Sequence, residues 1–235
     1  VHVISEFVQT WKWSDGITSV LVCDESAWFR RQLIVALEAS PGIEVMAEAD
    51  DAESVVGEIR EAAPDVVWLG LRLSGYSGVR LTSAIREMVP TARVVVVAGP
   101  EDAEVRARAL QAGAVGLVAR DDAIAVAVAV TERVAWGRCA LAPADLVALG
   151  STFAGLRRQA ASIQQHVPMP VIDARQRDVL DRLAHGADPA SVASHLDLPL
   201  SVVENLVLDA VTKLYRYGRA EALTYAVGER LFDVG

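Results

Sequence analysis

The chain has 235 residues, enough for one large domain or two of about 100–150 residues each. Hydrophobic residues make up 52% and charged residues 23%, which excludes wholesale disorder. The net charge is −9, so any contact with nucleic acid must come from a local basic surface and not from a bulk positive field.

Residues 1–17 stand ahead of the first clear strand and carry two of the five tryptophans, Trp11 and Trp13. They read either as an extension packed on the first domain or as a partner-binding arm. From Ser19 a regular alternation begins. Short apolar runs at Val20–Cys23, Ile43–Met46, Val66–Leu69, Val94–Val97 and Val115–Val118 predict strands buried on both faces. Between them lie segments with apolar residues three and four apart. Examples are Trp28, Leu33, Ile34, Ala36 and Leu37, and Leu81, Ile85 and Val89. Ser40-Pro41-Gly42, Ala63-Pro64 and Pro90 stop those helices. Five βα units of this kind predict an α/β fold, a doubly wound parallel sheet of five strands with right-handed crossovers. The fifth helix, over residues 122–136, has an Ile/Val–Ala alternation that looks strand-like alone; only the βα register makes it a helix.

Residues 137–170 break the rhythm and read as a linker, with a helix from about Asp145 to Gln165 and then Pro168-Met169-Pro170. Beyond them the pattern is purely helical: Arg175–Ala184, Pro189–Leu196, Ser201–Leu214 and Glu221–Leu231. Two short helices joined by a tight turn, with Ser201 as a cap, make a helix-turn-helix pattern. The domains predicted are therefore an extension over 1–17, an α/β domain over 18–136, a linker over 137–170 and a small all-α domain over 171–235.

Five stretches then carry a family resemblance. VLVCDES at Val20–Ser26, PDVVWLGLRLSGYSG at Pro64–Gly78, ARVVVVAGPEDAE at Ala92–Glu104 and AGAVGLVAR at Ala112–Arg120 resemble the strands and loops of response-regulator receiver domains, which are flavodoxin-like. Asp173–Leu214 resembles the helix-turn-helix of the NarL/FixJ, or LuxR-type, regulators. The resemblance covers about residues 18–232, and the order of its parts is more specific than any one motif.

Receivers of this family phosphorylate an aspartate at the end of the third strand. They also use two acidic residues for Mg²⁺, a hydroxyl and a lysine, because metal and cation neutralise the oxygens during phosphoryl transfer. By the resemblance, the acidic pair survives here as Asp24 and Glu25. The nucleophile position is Gly70, the hydroxyl position Ala98, the lysine position Arg120 and the aromatic switch position Leu117. Glycine has no side chain, so no acyl phosphate forms there; Ser74 and Ser77 lie nearby but not at the strand end. With a ligand lost, specific Mg²⁺ affinity is expected to be poor. Asp24 and Glu25 then need another cation. Arg120 is expected to point back into that corner and pair bidentately, the alternative being a solvent-facing Arg120. Constitutive activity, a small-molecule ligand and a protein partner all remain open as controls.

In the second domain, Val203 and Val207 match core positions, while Ser201, Val202, Glu204, Asn205, Leu206, Leu208 and Asp209 are expected to face outward. The lysines common in this helix are missing, and residues 171–235 hold seven basic and ten acidic side chains, a poor start for phosphate neutralisation. In favour of DNA, Asn205 suits adenine, Val202 a thymine methyl and Glu204 a cytosine amino group. Lys213, Arg216 and Arg219 suit phosphates, and Arg175 and Arg177 begin the first helix. The rival is an adaptor contacting protein through Val202, Leu206 and Leu208. A homodimer is expected, because regulators of this kind read paired half-sites.

Other classes fail on motifs. There is no Gly-x-Gly-x-x-Gly, no Walker-type lysine and no Gly-x-Ser-x-Gly elbow, so an enzyme is not expected. His2, His166, His185 and His195 show no zinc spacing, so neither metal nor cofactor is expected. Cys23 and Cys139 cannot make a disulfide scaffold. No apolar run approaches the ~18–20 residues that span a bilayer, and no apolar leader pattern opens the chain. A cytoplasmic, membrane-free protein is expected.

Overall fold

The computed structural model describes residues 16–73, 76–99, 103–149, 172–210 and 212–213. Its first half is a five-stranded parallel sheet in the order β2-β1-β3-β6-β7, built from β1 (Thr18–Cys23), β2 (Ile43–Ala49), β3 (Val66–Gly70), β6 (Arg93–Ala98) and β7 (Gly116–Ala119). β3 is fully buried and β6 is buried from Val94 onward, as their unbroken valine runs require. The edge strand β2 departs from that expectation. Its Glu44, Met46 and Glu48 are exposed, because IEVMAEA alternates and an edge strand meets solvent on one side.

Helices α1 (Ala27–Leu37) and α5 (Arg120–Ala135) cover one face of the sheet. There Val20, Val22, Val66, Trp68, Val95 and Val97 pack with Phe29, Leu33, Ala123 and Ala127. Helices α2 (Ala52–Ala62), α3 (Gly78–Met88) and α4 (Ala103–Gln111) cover the other, where Leu21, Cys23, Leu69 and Val96 meet Val55, Ile59, Ile85 and Leu110. Local signals start the helices. Ser26 Oγ accepts from the Phe29 N–H, and Asp51 accepts from the Ser54 N–H. The strand-like segment after β7 is a helix whose N-terminus carries Asp121 and Asp122.

Between β3 and α3 lies a small hairpin, β4 (Arg72–Leu73) with β5 (Tyr76–Ser77), that strand periodicity did not announce. Gly78 then lets α3 begin against β3: a Cβ there would stand 2.6 Å from the Gly70 carbonyl oxygen. After α5 the chain turns at Gly137, with φ +78°, and runs along the sheet edge. Ala140 bridges Gly116 and accepts from the Leu117 N–H at 2.9 Å.

Helix α6 is described over residues 143–149 and is tied to α4, with Arg106 Nη2 donating to both Asp145 oxygens at 3.0 Å. The second domain contributes α7 (Ala174–Ala184), α8 (Pro189–His195) and α9 over residues 200–210. Asp173 and Gln176 form a reciprocal capping box on α7. Leu146, Leu149, Leu180, Leu183, Val203 and Val207 continue the α2–α4 face core without a break. Trp11, Trp13, Ser74, the linker stretch 150–171, Arg216, Arg219 and Glu221–Leu231 lie outside the described residues.

Candidate functional site

The carboxyl end of the sheet holds Asp24, immediately after β1, beside Gly70 at the tip of β3. Asp24 is 1% exposed. Arg120, the first residue of α5, reaches back across this corner. Its Nη1 donates to Asp24 Oδ2 and its Nη2 to Asp24 Oδ1, each at 2.8 Å. The Ser26 N–H also donates to Asp24 Oδ1, at 2.9 Å. The guanidinium lies 4.1 Å from the centre of the Phe29 ring, a cation–π contact that orients the fork. The hydrogen bonds to Asp24 push Arg120 above its ordinary basicity, helped by the charges of Asp24, Glu25 and Asp121 and opposed by burial.

Gly70 completes the corner by what it lacks. A Cβ at this position would lie 2.4 Å from Asp24 Oδ2 and 3.2 Å from its Cγ. The Asp24 carboxylate thus occupies the room that a side chain at 70 would need. Glu25 is exposed; Ala98, the last residue of β6, and Leu117, the second residue of β7, are buried. A divalent cation does not fit this arrangement. Both Asp24 oxygens already face a guanidinium, position 70 offers no oxygen from a side chain, and Glu25 points to solvent. Among the described residues no cluster of three His, Cys, Asp or Glu side chains is arranged to hold a metal.

A second constellation joins the two domains. Arg133, in the last turn of α5, donates from Nη2 to Glu204 Oε2 of α9 at 2.7 Å. Its Nε donates to the Cys139 carbonyl. Asn205 donates from Nδ2 to the Gly137 carbonyl at 3.2 Å, and the Cys139 thiol donates to Asn205 Oδ1 at 2.9 Å. Glu204 is 3% exposed. Burial raises its carboxyl above the usual value, with the Arg133 charge pulling the other way. Burial also pushes the Cys139 thiol up to about 12, so it stays protonated and donates.

The family model described as the response regulator receiver domain matches residues 20–129. A protein of Mycobacterium tuberculosis named "Probable transcriptional regulatory protein NarL" is 31% identical over 214 residues, covering 91% of this chain and 95% of that one. The chain belongs to the NarL-type response regulators. A LuxR-family two-component response regulator from Aurantimonas matches 55% of this chain and 92% of its own at 29% identity, with a TM-score of 0.51. A structure of two RcsB dimers bound to two parallel DNAs matches 85% of this chain and 92% of its own at 16% identity and a TM-score of 0.50, and shares the fold.

For a NarL-type regulator, then, the receiver corner brings Asp24, Gly70 and Arg120 together and leaves Glu25 outside. Helix α9 is the second helix of its helix-turn-helix, and here the outward face read from the sequence needs correction. Glu204 and Leu208 are buried, at 3% and 7% exposure: Glu204 is covered where it meets Arg133 of the receiver, and Leu208 joins the core. Asn205 is exposed but tied by its amide to the turn after α5. Val202 and Leu200 remain exposed and Leu206 is half-buried, so the apolar patch is smaller than Val202, Leu206 and Leu208 would make. Ser201 is half-buried at the start of α9. Lys213 pairs with Asp209 at 2.7 Å, and Asp209 also accepts from Gln176 Nε2. His185 and His195 are exposed and Cys23 is buried. Sequence reasoning missed Arg133 and Cys139. The one hint was an acid, Glu204, where this family's helix carries cations.

Proposed function

We propose that this NarL-type regulator controls transcription without phosphorylation of its receiver. One observation carries the reading: the Asp24 carboxylate, held by Arg120, fills the space that an acceptor side chain at 70 would enter. An acyl phosphate needs a carboxylate at that strand tip and a cation site beside it. Here a side chain of the protein itself supplies the positive charge, and Arg does not deprotonate in the physiological range. The receiver, over residues 18–136, acts as a scaffold joined through a linker over 137–170 to an output module over 171–235. No catalytic step, metal or cofactor is assigned, and the protein works in the cytoplasm. No helix among the described residues is long and apolar enough to cross a membrane.

The output is DNA binding as a homodimer, as the RcsB complex displays for that protein. Ser201, Val202, Glu204 and Asn205 then face bases, and Lys213, Arg216 and Arg219 face phosphates, once α9 leaves the receiver. The test is a salt titration of the full-length protein against promoter fragments of its own genome, with and without acetyl phosphate and Mg²⁺. Affinity is expected to fall steeply with salt and to be unmoved by the phosphoryl donor. An aspartyl phosphate in the receiver, or a donor-dependent gain in affinity, overturns the proposal. A second reading, an adaptor that contacts protein, is favoured by the ten acidic and seven basic side chains of residues 171–235. Absence of a specific site at any salt would select it.

A further inference from the structure

The two sides of the receiver end differently. On the α2–α4 side the core runs on into α6 and the second domain. On the other side, α1 and α5 form the outermost described layer, and it is unusually apolar. The three most exposed large apolar side chains among the described residues all stand on it: Trp28 and Val35 of α1, at 69% and 62%, and Trp136 at the end of α5, at 74%. Along α5 the outward stripe is Ala125, Ala129, Glu132 and Trp136, with a single charge. A continuous apolar patch of this kind marks a surface that something covers.

The chain itself supplies a segment of the right character beside that surface. Fifteen residues precede Gly16. Among them Val3, Ile4, Phe7, Val8 and Trp11 fall three and four apart, with polar residues at His2, Ser5, Glu6, Gln9 and Thr10 between them. That pattern predicts an amphipathic helix over 3–11. A helix so short does not hold in water without a surface for its apolar side. The chain enters β1 beside the turn that leaves α1, because the Thr18 N–H donates to the Gly42 carbonyl at 2.8 Å. Val35 lies in the last turn of α1, at that same end. From Ile17 back to Trp11 the chain reaches up to ~20 Å. Ile4 and Trp11 are seven residues apart, as are Trp28 and Val35, so the two stripes match in length at about 10 Å.

We infer that residues 3–11 lie across the outer face of α1 and α5 and cover it. The segment runs down into β1, as α1 runs down from it, so the two are parallel. Trp11 then meets Val35, and Ile4 lies towards Trp28. The receiver carries its own cover on this side. The face is closed to a second copy, and any pairing of two chains uses another surface. The inference holds whether the output module meets DNA or protein.

The test is trypsin cleavage after Lys12, the one Lys or Arg within residues 1–17. Cleavage of a covered segment follows the population of its open form. The full-length protein is expected to be cut there at least about tenfold more slowly than a peptide of residues 1–20. Val35→Glu and Phe7→Glu, both remote in sequence from the cut, should each speed it about tenfold, the worth of one buried apolar side chain. The double variant should add little, because both changes remove one contact. If Val35→Glu disturbs the receiver itself, seen as faster hydrogen exchange in β3, Trp28→Glu replaces it. Cleavage of the wild type at the rate of the peptide overturns the inference. A slow cut that neither Val35→Glu nor Trp28→Glu moves overturns it too, because the segment is then held elsewhere. Conversion of a dimer to a monomer by Val35→Glu, read by light scattering with cleavage unchanged, assigns the face to a second copy and overturns it equally.

Discussion

Replacing Gly70 by alanine is the sharpest probe of the receiver corner. At an ordinary site with negative φ, Gly→Ala stabilises a protein by about 0.4–1 kcal/mol through the unfolded chain, and the φ of Gly70 is not positive. Here the new methyl would stand 2.4 Å from Asp24 Oδ2, about an ångström inside normal contact. Asp24 cannot simply rotate away, because its carboxylate is anchored by hydrogen bonds of 2.8, 2.8 and 2.9 Å. Overpacking of this kind costs about 1–3 kcal/mol. In a chain of this size each kcal/mol moves the melting midpoint by about 2–4 °C, so Gly70→Ala should lower it by several degrees. The assay is thermal and urea unfolding of Gly70→Ala, Asp24→Ala and the double variant. With the Asp24 carboxylate gone, the methyl has room, and the Gly70→Ala effect should vanish or change sign. The cycle should show a coupling of about 1–3 kcal/mol. An equal effect of Gly70→Ala in both backgrounds, or a stabilising one in the wild type, would refute the claim that Asp24 fills this space. By the same geometry, Gly70→Asp should not restore phosphorylation while Asp24 and Arg120 remain.

Three further outcomes are expected. Trp68→Phe strands the buried Thr131 hydroxyl and should destabilise the receiver by about 1–3 kcal/mol, measurable by urea unfolding; Thr131→Val in the Trp68→Phe background should recover part of that loss. Docking should tighten on acidification. The carboxyl of Glu204 is raised in the docked state above the 4.5 of a free glutamate, so the docked state binds the proton more tightly. This contribution is fully present below about 4.5 and is lost as pH rises through the raised value. Exchange in residues 200–210, corrected for its intrinsic pH dependence, should therefore slow towards pH 4.5 in the wild type and show no such trend in Glu204→Gln. Mg²⁺ with beryllofluoride should leave tryptophan fluorescence unchanged, since Trp28 follows Ser26, whose N–H holds Asp24, at the start of α1; a saturable change would argue for a working acceptor site.

Much of this protein is legible in one dimension. The valine runs at Val66–Leu69 and Val94–Val97 report strands buried on both faces, because only such strands can be apolar at every position. Gly70 is equally legible: a missing side chain needs no coordinates to be seen as missing. Val203 and Val207 mark the inner face of α9 by their spacing, and both are buried as that spacing requires. The hairpin at 72–77 was hidden because two-residue strands have no periodicity to display.

What the coordinates alone decide is which groups meet across distance in the chain. Asp24 and Arg120 are 96 positions apart and Arg133 and Glu204 are 71 apart. Glu204 read as a solvent-facing residue because helical periodicity sorts residues relative to one partner, here the rest of its own domain. A second partner, the receiver, buries a different side of the same helix and leaves no mark on that period. Local rules of propensity and patterning therefore determine the elements and most of the core, while the occupant of the space beside Gly70 and the covered side of α9 follow from packing in three dimensions.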